Sequence, residues 1–280
     1  MESRTFATSV RPPALTGQTC GLYRWFGKLV PESLAVPLAA AGMLVCEGKL
    51  RQASALGGRL RSLYAEMKKD QQVLQMLKTR SVDACLAPGK EAAHGHYYLR
   101  HIPKAPVLVF LHGYGGNLLF NIWAMMKALP GWTLIHPSWG LDWWLAETGD
   151  KMRYLQDLAK DFAERTGEPL RQPWLAGLSD GGMAAFELAS AQPQHYSGLI
   201  SLASSPNTDT HSFPAGYPIF MINGTEDDRF PMDRAMRSAL RLLESGVKIQ
   251  IAEMEGEGHF FLLSSTLKMG KAISAFVEGA

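Results

Sequence analysis

A chain of 280 residues has room for one large domain, or for a medium domain with an appendage, at roughly 100 to 200 residues per domain. Its 46% apolar and 19% charged content excludes both a disordered polypeptide and a polytopic membrane protein. The net charge of +2 excludes the overall basicity of a duplex nucleic-acid binder, so no nucleic-acid partner is expected.

The near-neutral total is uneven along the chain. Residues 1–80 hold 12 Lys and Arg against 5 Asp and Glu, whereas residues 81–280 hold 16 against 21. Residues 1–20, with Pro12, Pro13 and Gly17 and no hydrophobic periodicity, read as a mobile leader. Basic residues dominate the first 28 positions, a bias compatible with an organelle transit peptide and equally with a plain tail. Ser33–Cys46 is apolar but shorter than the about 20 residues that span a bilayer, and it contains Pro37 and Gly42, so no integral membrane segment is expected. Cys20, Cys46 and Cys85 are too few and too far apart for a disulfide framework or a zinc site, which points to a reducing compartment such as the cytoplasm. Leu56, Leu60, Leu63, Met67, Leu74 and Leu77 recur at helical spacing and predict an amphipathic helix.

After Pro88 short apolar runs alternate with helical stretches. The predicted strands are His96–His101, Val107–Leu111, Trp132–His136, Trp174–Leu178, Gly198–Ala203, Pro218–Ile222 and Lys248–Met254. Helices are predicted over Asp150–Thr166, Gly181–Ala191 and Met232–Ser245, with a final one after His259. This alternation predicts an α/β protein, a doubly wound and mostly parallel sheet preceded by an N-terminal helical segment. Its domains are then a leader and helical segment over 1–80 and a core over 81–280. Sheets of this kind bind ligands beyond the carboxyl ends of their strands.

Four strand ends carry chemistry. Trp174–Leu178 runs into Gly177-Leu178-Ser179-Asp180-Gly181, a serine with small neighbours on a sharp strand-to-helix turn. Val107–Leu111 ends in His112-Gly113-Tyr114-Gly115-Gly116, where glycines let backbone N–H groups approach a developing oxyanion; the N–H groups of Tyr114 and Asp180 are the candidate donors. His112 reads as a structural residue of that loop. Pro218–Ile222 leads to Glu226-Asp227-Asp228, three acids that compete for the task of orienting a histidine. Lys248–Met254 is followed by Gly256-Glu257-Gly258-His259. Between these ends, the loop after Trp132–His136 holds Trp139, Trp143 and Trp144, which either line an apolar substrate pocket or cover the sheet.

LHGYGG, GLSDGG, NGTEDDRFP and GEGHFF occur in the order found in the α/β-hydrolase superfamily, which residues 81–280 resemble. The family's acid motif, G-T-x-D-x-x-x-P, aligns Gly224, Thr225, Asp227 and Pro231. The resemblance therefore implies Ser179, Asp227 and His259 as the catalytic triad, and a compact serine esterase of the carboxylesterase/phospholipase-like or polyhydroxyalkanoate depolymerase/feruloyl esterase-like kind. It implies a small-molecule ester as substrate and no cofactor. A peptidase or amidase of the same fold, and a binding protein that has lost the chemistry, are the alternatives. His94 and His96 have no nearby third ligand, so no metal site is expected.

Overall fold

The computed structural model describes residues 2–7, 94–113, 118–138, 147–206 and 211–280, with scattered positions between 51 and 69. The strands are β1 (Glu2–Ala7), β2 (His94–Arg100), β3 (Val107–Leu111), β4 (Thr133–Ser138), β5 (Trp174–Leu178), β6 (Gly198–Leu202), β7 (Pro218–Gly224) and β8 (Lys248–Met254). The helices are α1 (Leu118–Ala128), α2 (Thr148–Thr166), α3 (Asp180–Ala191), α4 (Met232–Glu244), α5 (Phe261–Ser264) and α6 (Thr266–Glu278). One sheet contains all the strands, in the order β1-β2-β4-β3-β5-β6-β7-β8. From β4 to β8 every neighbouring pair is parallel, and β1 and β2 close the other edge with antiparallel pairs.

Alternation along the strands feeds two cores. On β3, Leu108 and Phe110 face a core shared with α1, α5 and α6, while Val109 and Leu111 face the one shared with α2, α3 and α4. Helices on both faces are what a parallel sheet requires, because each strand must be covered twice. Every residue of β5 and β6 is buried. A side chain such as Phe110, with 0% exposure, contributes about 1.5 to 3 kcal/mol through its removal from water. Helix α2 presents Lys151, Tyr154, Leu158 and Phe162 inward, at the spacing of a single helix face. It ends at Gly167, whose left-handed backbone (φ 74°) returns its N–H to the carbonyl of Ala163.

Two features depart from the sequence expectations. Residues 2–7 are not a leader without structure: they form β1, with Glu2 opposite Leu99 and Ala7 opposite His94. Six residues are too short to show periodicity by themselves, and the strand exists because the β2 edge offers it a partner. Helix α1 is absent from the sequence prediction. Phe120, Asn121, Ile122, Trp123, Ala124 and Met125 are buried in succession, so the helix has no polar face from which a period could be read. The Leu56–Leu77 apolar stripe and the three cysteines lie outside the described residues. Among the described residues, no helix is long and apolar enough to cross a membrane.

The chain steps from β3 outward to β4 and then returns past β3 to β5. The connections from β3 and β5 therefore leave toward opposite faces and open a crevice at the carboxyl ends of these two strands. The loops holding Gly113 and Ser179 meet there.

Candidate active site

Ser179 follows β5 directly and is the residue before α3. Its backbone lies at φ 55° and ψ −122°, a region that disfavours side chains and costs on the order of 1 to 3 kcal/mol. Surrounding bonds hold it there. Its N–H donates to Leu202 (2.9 Å), and its carbonyl accepts the N–H groups of Gly182 (2.8 Å) and Met183 (3.2 Å). The buried Ser204 hydroxyl donates to that same carbonyl at 2.6 Å. Ser204 was not among the sequence candidates; it stands two residues beyond the end of β6, and nothing in its local pattern marks it.

The Ser179 hydroxyl lies 3.0 Å from Nε2 of His259. On the other side of the ring, Nδ1 of His259 lies 2.9 Å from Oδ2 of Asp227. A neutral imidazole in this arrangement carries its proton on Nδ1 and accepts the serine proton at Nε2. The second carboxylate oxygen of Asp227 accepts the N–H groups of Arg229 (2.9 Å) and Phe230 (3.0 Å). The Asp227 side chain is fully buried, and its three donors compensate for lost hydration. Of the three competing acids, Glu226 and Asp228 point to solvent. The His259 ring stacks on Phe230 (centroids 5.8 Å apart, planes at 13°) and meets the edge of Phe260 at 5.4 Å.

Gly113 packs directly on this turn: a Cβ there would lie 3.1 Å from that of Ser179. Nδ1 of the buried His112 donates to the Gly113 carbonyl at 2.8 Å. Asp180 opens α3 beside Ser179, placing its backbone N–H at the positive end of the helix. Tyr114, Trp139, Trp143 and Trp144 lie outside the described residues. A groove of about 600 Å³ lined by Met152, Leu155, Leu170, Arg171 and Tyr196 opens at the amino ends of β5 and β6, the opposite end of these strands from Ser179. Among the described residues, no group of three or more His, Cys, Asp or Glu could hold a metal ion.

His136 lies on β4 and is buried against Phe110, with ring centroids 5.3 Å apart. Neither ring nitrogen has a hydrogen-bond partner among the described residues. Burial, reinforced by Arg100 and His112, pushes its pKa down to about 3. The folded value lies below the ordinary one of about 6.5, so in the interval between them the unfolded chain holds a proton that the folded chain excludes. Stability due to this site is therefore complete above the ordinary histidine range and is lost as the pH falls toward 3, by up to about 1.4 kcal/mol per pH unit. His136→Leu is expected to flatten the fall in urea-derived stability between about pH 6 and pH 4, whatever its absolute stability. An unchanged slope would remove His136 as its source.

No protein-family model matches the chain. A stretch of 103 residues is 35% identical to pimeloyl-[acyl-carrier protein] methyl ester esterase of Serratia marcescens, spanning 35% of this chain and 36% of that enzyme. The chain thus covers about a third of this curated relative. Among solved structures, the Bacillus cereus carboxylesterase is similar at a TM-score of 0.52 and 16% identity, over 64% of this chain and 93% of that one. MGS-MChE2, an α/β-hydrolase enzyme from the metagenome of sediments from the lagoon of Mar Chica, Morocco, is similar at a TM-score of 0.52 and 17% identity, over 66% and 95%. With its mostly parallel sheet, its helices on both faces and these structural relatives, the chain has the α/β-hydrolase fold.

Proposed function

We propose that this protein is a serine hydrolase that cleaves carboxylic esters through an acyl-enzyme. The observation that carries this reading is the chain from Ser179 Oγ to His259 Nε2 (3.0 Å) and from His259 Nδ1 to Asp227 Oδ2 (2.9 Å), built on a serine in a strained strand-to-helix turn. His259 takes the Ser179 proton as Oγ attacks the ester carbonyl, and Asp227 stabilises the resulting imidazolium. The backbone N–H groups of Asp180 and Tyr114 hold the oxyanion. The imidazolium then protonates the departing alkoxide. Water, deprotonated by His259, attacks the acyl-enzyme and releases the acid and Ser179.

Esters are favoured over amides because the curated relative is named as a methyl ester esterase. Trp139, Trp143 and Trp144 follow β4 in the chain and are proposed to line the apolar acyl side of the pocket. In the same reading residues 81–280 form the catalytic core and residues 1–80 are an addition to it, from which β1 joins the sheet.

The test is covalent labelling of the folded protein by a fluorophosphonate, with the modified peptide identified by mass spectrometry, beside a panel of aryl esters of increasing acyl length and an aminoacyl amide. Modification confined to Ser179, together with ester turnover, is expected. A folded protein that neither labels nor turns over any ester would be a binding protein on a hydrolase scaffold. Faster turnover of the amide than of every ester would move the assignment to an amidase.

A further inference from the structure

His259 and Asp227 stand on different loops, after β8 and β7, and their 2.9 Å contact depends on how those loops are registered. Backbone and hydroxyl bonds join the two. Thr225 N–H donates to Met254 O at 3.1 Å, Gly256 N–H to the Thr225 hydroxyl at 2.8 Å, and Glu226 N–H to Glu257 O at 2.9 Å. The approach at Glu257 is tight: a Cβ on Gly224 would lie 2.1 Å from the Glu257 carbonyl oxygen. Only glycine is accommodated at the end of β7 beside this carbonyl.

The Glu257 side chain turns the other way. One carboxylate oxygen accepts the Ser265 hydroxyl at 2.6 Å and the other accepts the Ser264 hydroxyl. Ser264 and Ser265 mark the junction of α5 and α6, and α5 is anchored in the core by Phe261, Leu262 and Leu263. Glu257 therefore ties the loop of Asp227, the loop of His259 and a core-anchored helix together at one residue, two positions before the histidine. Its main chain sets the spacing between the loops, and its carboxylate fixes both against the body of the protein.

We propose that Glu257 is a positioning residue that holds His259 in register with Asp227 and Ser179; this rests on the serine-hydrolase reading above. A displacement of about 1 Å at a reacting group can cost on the order of a hundredfold, so a loosened loop should appear in kcat rather than in KM. The tests are Glu257→Ala, Glu257→Gln and the double variant Ser264→Ala/Ser265→Ala, assayed on a short-chain aryl ester. Glu257→Ala is expected to lower kcat by about ten- to a hundredfold with KM within about twofold. Glutamine can still accept one serine hydroxyl and donate to the other, so Glu257→Gln should recover most of the rate. The double serine variant should reproduce the loss with Glu257 intact, and it decides the matter if Glu257→Ala does not fold.

A second readout does not depend on turnover. The His259 Nδ1 proton, followed by NMR, should be sharp in the wild type and broadened by exchange in Glu257→Ala and in the double serine variant. If folded variants keep both kcat and the sharp proton signal, Glu257 has no positioning role. If the wild type is silent toward esters and fluorophosphonate yet the proton signal responds as described, the hydrolase reading falls and the positioning stands.

Discussion

Ser179→Ala is expected to lose ester hydrolysis by about 10⁴- to 10⁶-fold in kcat, with KM little changed. The size follows from the mechanism: without Oγ no acyl-enzyme forms, and what remains is the contribution of the oxyanion donors and of substrate binding. Only one atom, half-buried with the serine, is removed, and the contacts that hold the turn run through backbone groups: Leu202 O, the N–H groups of Gly182 and Met183, and the Ser204 hydroxyl on the Ser179 carbonyl. Thermal stability should therefore be retained or slightly raised, which separates chemistry from folding. Steady-state kinetics on an aryl ester, beside a melting curve, reads both quantities. A folded Ser179→Ala protein that kept more than about a tenth of wild-type kcat would not be a serine hydrolase working through this residue.

Gly177→Ala is expected to have the largest effect on stability. A Cβ at this position would lie 2.1 Å from the Gly181 carbonyl oxygen and 2.6 Å from the Gly182 nitrogen. Both are backbone atoms of the first turn of α3, and they cannot rotate away as a side-chain tip could. The turn must open, with a cost of about 3 kcal/mol or more from overpacking alone, equivalent to a fall in Tm of roughly 6 to 12 °C for a chain of this size. Opening it also moves Ser179, whose carbonyl is bonded to Gly182 and Met183, so residual activity should fall further than the folded fraction. Differential scanning calorimetry and active-site titration with a fluorophosphonate measure the two losses separately. A Tm within about 2 °C of wild type would mean that the turn is not packed as described.

Three of the strands that lead into the candidate site are among those most easily read from the sequence. β3, β5 and β8 occupy the predicted spans Val107–Leu111, Trp174–Leu178 and Lys248–Met254, and α2 and α4 differ from prediction by at most two residues at either end. These elements carry their own signals, an apolar run or a helical period closed by Gly167 or Gly246. α1 carries none, because its residues from Phe120 to Met125 are buried in succession, with no helical period. β1 carries none either, because its register is set by a strand that begins at His94.

For the candidate site, Ser179 was marked by its place between a predicted strand and a predicted helix, and His259 by following the serine and the acids in chain order, each on its own strand end. Local pattern did not separate Asp227 from Glu226 and Asp228; only the resemblance to a family motif did so. In the structure the choice follows from burial, with Asp227 turned inward to His259 and to two backbone N–H groups while its neighbours face water.

The amino-acid sequence by itself determined the alternation of strands and helices, and with it the strand ends at which reactive side chains could stand. Those properties depend on hydrophobic period and turn chemistry over a few residues. The tertiary structure decided which of these ends meet. The Ser179–His259 contact joins residues 80 apart in the chain, His259–Asp227 joins residues 32 apart, and the Ser204 hydroxyl reaches back 25 residues to the Ser179 carbonyl. Bonds of that span follow from strand order and loop packing, which no local period encodes. For the same reason Ser204 and Glu257, ordinary polar residues in their own segments, come to stand beside the Ser179 turn and the Asp227 loop only once the sheet has formed.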